Sequence, residues 1–112
     1  MKVARRWVKQ ARVRLHPTRP VYSAPAGFPP HHALWICIHN NEGPWHDTSG
    51  PYAGGLQMSI GWLKMVGNAG YLSETQQEWI AERAYAANHY SVSFLIGQWF
   101  KWDGAYYCEK YA

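Results

Sequence analysis

Glu42 is the residue of this chain whose type and setting could drive a reaction. It follows the apolar positions Leu34, Trp35, Cys37 and Ile38 and is flanked by Gly43, Pro44 and Trp45, which puts a carboxylate where a helix stops, beside a ring. Burial disfavours the charged form of a carboxylic acid, so a shielded Glu can hold its proton closer to neutrality and act as a general acid. The departure of a sugar needs such a group, because the glycosidic oxygen must collect a proton as its bond breaks. The plainer reading is a solvated carboxylate at a helix C-terminus, although the helix dipole disfavours a negative charge there. Thr48, Ser49 and Gly50 follow, then Gly54 and Gly55, a tight bend leading into Leu56, Gln57 and Met58, so that one polar group is set among apolar ones. Asp47 is the other carboxylate near in sequence. It is a possible second carboxylate of the kind two-carboxylate glycosidases require; otherwise it is a loop or Asx-turn residue, the reading favoured here.

The six histidines invite a metal hypothesis, with His39, His46 and Asp47 close together. Their spacing is neither that of HExxH nor of another zinc motif, so no metal and no cofactor are expected. His39 should instead lie one helical turn from Glu42 and hydrogen-bond near it.

These residues need elements to hold them. The apolar spacing predicts a helix from His31 or His32 to about Asn41, whose end delivers Glu42. Gly43 to Gly55 reads as turn-rich, with Tyr52 as its large anchoring side chain and a short hairpin possible. Ser59 can cap a helix running to Val66 and stopped by Gly67, and Asn68 to Gly70 make a loop. Ser73 with Gln76 is a capping-box signature for a helix to about Asn88, carrying Trp79, Ile80, Arg83, Ala84 and Ala87. A further helix fits Phe94 to Phe100. The fold class is therefore mostly α with a turn-rich or hairpin segment after the first helix of the domain.

At 112 residues the chain suits one domain with a core of its own. Residues 31 to 112 are assigned to it. Residues 16 to 30, with Pro17, Pro20, Pro25, Pro29 and Pro30, read as an extended linker, and residues 1 to 15 as a short basic amphipathic helix or a solvated leader. The net charge of +4 belongs to that tail: residues 1 to 20 hold seven Lys or Arg and no acid, whereas the rest holds four bases and seven acids. Nucleic-acid binding by the folded part is thus disfavoured, while the tail could contact an anionic polymer or a membrane surface. Seven Trp and eight Tyr are more rings than a small core needs, and exposed rings are what sugar-binding surfaces use.

The two cysteines, Cys37 and Cys108, fit neither a CxxC redox pair nor a four-ligand zinc site. A disulfide is the favoured reading, closing a loop of roughly 70 residues and stabilising by on the order of 4 kcal/mol; two buried thiols are the alternative. No stretch approaches the length needed to span a bilayer, and no recognisable signal peptide opens the chain.

The run CIHNNEGPWHDTSGPYAGGLQMSIGWLKMVG, followed by QQEWIAERAY, resembles the transglycosylase-like domains of resuscitation-promoting factors and their actinobacterial and phage relatives. The likeness covers residues 33 to 88 and, more loosely, the C-terminal cysteine. It implies a small lysozyme-like fold that cuts peptidoglycan outside the cytoplasm, with Glu42 as catalytic acid, Thr48 and Gln57 lining the cleft, and Trp45 and Tyr52 as wall residues. A Cys37 to Cys108 disulfide is implied too. The family block Asn-Thr-Gly-Asn-Gly-Tyr-Tyr-Gly-Gly-Leu-Gln reads here Asp-Thr-Ser-Gly-Pro-Tyr-Ala-Gly-Gly-Leu-Gln, so Ala53 replaces the second aromatic and Pro51 a glycine. Several residues separate Cys37 from Glu42, which matches the wider His-x-x-Glu-Gly-x-Trp form of some relatives at His39, Glu42, Gly43 and Trp45. The expectation is a monomeric lytic transglycosylase acting on the β-1,4 bond between N-acetylmuramic acid and N-acetylglucosamine. A muramidase using water is the first alternative, and a glycan-binding or virion structural module without turnover is the second.

Overall fold

The computed structural model describes residues 24–59 and 68–112. The basic helix expected over 1–15 lies outside them, as does the helix expected after Ser59. In chain order the described elements are α1 (His32–His39), β1 (Tyr52–Ala53), β2 (Met58–Ser59), a 3-10 turn (Ala69–Tyr71), α2 (Glu74–Ala87), α3 (Val92–Leu95), a π segment (Ile96–Phe100), α4 (Lys101–Asp103) and a C-terminal 3-10 helix (Tyr106–Tyr111). Helix dominates. The only described sheet is the antiparallel hairpin β1–β2, with Tyr52 opposite Ser59 and Ala53 opposite Met58.

The apolar spacing of α1 does what it predicts: Leu34, Trp35 and Ile38 are fully buried. Trp35 meets Trp99 and Tyr85 edge to face at centroid distances of 5.5 and 5.8 Å, which is where the rings of three segments form the core. The capping box of α2 is complete, with Ser73 Oγ accepting from the Gln76 N–H and Gln76 Oε1 accepting from the Ser73 N–H. The helix expected near Phe94 widens into a π turn. A π turn brings residues five apart onto one face, and Leu95 and Phe100 are both fully buried. Gly104, at φ +68°, then ends α4 in the left-handed conformation. Residues assigned to the linker also touch the domain: Gly27 O accepts from Trp79 Nε1 at 2.8 Å, and Phe28 stacks on His32 at 4.1 Å.

Two ties fix α1. Cys37 and Cys108 form a disulfide, joining it to the C-terminal 3-10 helix across 71 residues of sequence. At its N-terminal end, two His–Glu pairs fasten it to α2. His31 Nδ1 lies 2.7 Å from Glu82 Oε2, and His32 Nδ1 lies 2.7 Å from Glu78 Oε1. Glu82 Oε1 also accepts from Trp35 Nε1 at 2.9 Å and from the His31 backbone N–H at 3.2 Å. Glu78 is fully buried. Burial pushes its carboxyl up to about 7 against the opposing pull of His32, and nearby Glu74 and Glu82 add to the rise.

Loss of the disulfide should lower stability by about 2–5 kcal/mol, because the unfolded chain regains the freedom of a long loop. Denaturant midpoints of the Cys37→Ser/Cys108→Ser double variant, compared with the oxidised protein, measure this. The raised Glu78 carboxyl makes a second expectation. A group that holds its proton more tightly in the folded state contributes fully below the unfolded value of 4.5 and ceases to as pH rises through about 7. Unfolding free energy should therefore fall across that window relative to Glu78→Gln, and equal slopes for the two proteins would contradict the assignment.

Candidate functional site

Glu42 stands just past the end of α1. Asn40, the C-cap, donates to Ile36 O, Asn41 N–H to Ile38 O, and Glu42 N–H to His39 O at 2.9 Å, so the helical path winds on until Gly43 and Pro44 redirect it. The Glu42 side chain is half-buried and its Oε2 is shut off from solvent. Beside it, a side chain built on Gly43 would stand 3.6 Å from Gln57 Nε2 and 3.9 Å from Asp47 Oδ2. Three of the residues singled out in the sequence thus gather around the Glu42–Gly43 step.

Gln57 is 7% exposed and adopts φ +48°, a left-handed conformation that costs a residue with a Cβ on the order of 1 kcal/mol. Its amide orientation follows from the network: Nε2 donates to Asp47 Oδ2 and to Gly54 O, each at 2.8 Å. Both N–H bonds are thereby used. Oε1 is left buried and accepts no hydrogen bond within the described residues. A buried acceptor in that condition is costly unless something supplies a donor. Asp47 has two duties. Its Oδ2 holds Gln57, while Oδ1 accepts from the Ser49 N–H at 2.9 Å and the Ser49 hydroxyl at 2.6 Å, an Asx-turn geometry.

Trp45 lies flat on His39, centroids 4.1 Å apart and planes 19° apart, and His39 Nδ1 bonds Gly55 O at 2.8 Å. His39 therefore takes the neighbouring position expected of it. The two rings press so closely on Gly55 that any Cβ there would collide with both. Gly54 is constrained as well, by φ +79° and by Gln77 Oε1. Thr48 rests its methyl against Gly70, and Thr48 O accepts from Asn68 Nδ2 at 2.9 Å. Tyr52 is half-buried at the start of β1, and Ala53, where the family block has a second aromatic, is fully buried in the hairpin.

Two buried residues that sequence reading passed over hold this loop together. Gln77, fully buried, accepts from the Gly55 N–H at 2.8 Å and donates to Trp45 O at 2.7 Å and Leu72 O at 3.1 Å. Asn68 fastens Thr48 and caps the 3-10 turn through the Gly70 N–H. The signal that could have found Gln77 is its place in α2, one turn before Ala81 on the face that packs inward. Among the described residues no group of three His, Cys, Asp or Glu side chains is arranged to hold a metal.

Replacing Gly55 by Ala should displace the stacked Trp45 and His39 rings and cost about 1–3 kcal/mol. Urea midpoints and the near-ultraviolet circular dichroism of the Trp bands would register it; an unchanged spectrum and midpoint would refute the packing described. No protein-family model matches the chain, and no curated protein or solved structure matches it either.

Proposed function

We propose that the domain has a lysozyme-like fold and cleaves the β-1,4 bond between N-acetylmuramic acid and N-acetylglucosamine in peptidoglycan, as a lytic transglycosylase. The observation that carries this reading is Glu42, half-buried with one carboxyl oxygen shut off from solvent, next in the chain to Gly43, against which the Gln57–Asp47 pair lies. The protonated carboxyl donates to the glycosidic oxygen as the C1–O bond breaks. The C6 hydroxyl of the same sugar then attacks C1 and returns its proton to Glu42, leaving a 1,6-anhydro end. No second carboxylate is needed. Asp47, occupied with Ser49 and Gln57, serves as a positioning residue.

Thr48, Trp45 and Tyr52 line the same segment, the rings offering flat faces to sugars. The disulfide suits work in an oxidising compartment outside the cytoplasm. Glycan strands are the partner, and the chemistry calls for no cofactor.

Digestion of purified cell walls tests this. Glu42→Gln should lower turnover at least about a hundredfold while glycan binding persists. Anhydro ends among the products support the transglycosylase, reducing ends would assign a hydrolase using water, and equal activity of wild type and variant would end the enzymatic reading in favour of a binding module.

A further inference from the structure

A concave surface of α1 has no part in that chemistry. Leu34, Trp35 and Ile38 face the core and His39 turns to Gly55, which leaves Ala33, Ile36 and Asn40 on another stripe of the helix. Opposite that stripe runs the C-terminal 3-10 helix. Between them lies a groove of about 440 Å³ whose walls include His32, Ile36, Asn40, Tyr107 and Tyr111, with Cys37 of the disulfide also reaching it. Tyr107 and Tyr111 are 58% and 41% exposed, large rings in contact with solvent at a concave site.

The lining is anchored. Tyr107 Oη accepts from Asn41 Nδ2 at 2.5 Å, which steadies one ring against α1. His32 is clamped by the buried Glu78 through Nδ1 and stacked on Phe28, so its Nε2, for which the described residues offer no partner, has a fixed position. None of the lining residues is Lys, Arg, Asp or Glu. A groove of neutral rings with an amide and an imidazole at its edge suits a ligand with flat apolar faces and hydroxyl or amide rims, the description of a sugar strand.

We propose that the groove between α1 and the C-terminal 3-10 helix is a second glycan-binding site, separate from Glu42, in which Tyr107 and Tyr111 stack on N-acetylated sugar rings while Asn40 and His32 Nε2 bond their polar edges. The choice of N-acetylated sugars rests on the peptidoglycan reading, whereas the site itself does not require Glu42 to be catalytic. Its effect is to keep a strand attached to the domain independently of cleavage.

The test is a titration of full-length Glu42→Gln with the N-acetylglucosamine tetramer, followed through backbone amide resonances. Saturable shifts at Asn40, Tyr107 and Tyr111 are expected, and Tyr111→Ala in the same background should weaken them about tenfold without altering shifts between Gly43 and Gln57. Tyr111→Leu, which keeps bulk but not a flat ring, guards against an effect of lost packing and should weaken binding similarly. Shifts confined to Gly43–Gln57, or groove binding indifferent to both Tyr111 substitutions, would overturn the proposal and leave the catalytic reading standing. Groove binding by a protein whose wild type cuts no cell wall would do the reverse.

Discussion

One buried amide governs the geometry around Glu42. Gln77 reaches out of α2 to bond the Gly55 N–H, Trp45 O and Leu72 O, satisfying donor and acceptors from three separate stretches of chain. Deep in a protein an amide of this kind tolerates no alternative, because each unmet bond would cost about 1–3 kcal/mol. The loop from Gly43 to Met58 has little regular structure to hold it. It is shaped by that amide, by the Asn68 bonds to Thr48 and Gly70, and by the collision limits at Gly54 and Gly55.

Within this frame the two carboxylates near the bend are treated differently. Asp47 accepts from Ser49 and Gln57 and so organises its neighbours. Glu42 is half-buried with one oxygen withdrawn from solvent. In Gln57, Asp47 and Gly54 claim the two N–H bonds, and the buried oxygen accepts none within the described residues. Its backbone is left-handed, at φ +48°.

Elements with local signals were legible in the sequence. Leu34, Trp35 and Ile38 announce α1 by spacing, Ser73 and Gln76 announce the start of α2, and Gly54 and Gly55 announce the bend of the hairpin. Cys37 and Cys108 pair as favoured. What stayed hidden depends on partners far away along the chain. Nothing local to α2 marks Glu78 and Glu82 as buried; histidines 46 and 51 residues earlier meet them there. Gln77 shares the inward stripe of α2 with Ala81, but its three bonds to Gly55, Trp45 and Leu72 have no local marker. The π turn, which accompanies the burial of Leu95, Trp99 and Phe100, has no short-range signature. Around Glu42, Asp47 was legible as the carboxylate near in sequence and Gln57 as a cleft residue implied by the family likeness; their mutual hydrogen bond has no sequence marker at all.

The start of α1 has a consequence for assembly. His31, its N-cap, makes no side-chain capping bond, and its backbone N–H is met instead by Glu82 of α2. Eight residues are too few for a helix to persist alone in water. A peptide cut to α1 would be a coil, and the segment that carries Glu42 acquires its shape only as a tenant of the helix formed forty residues downstream, whose own capping box makes it self-starting.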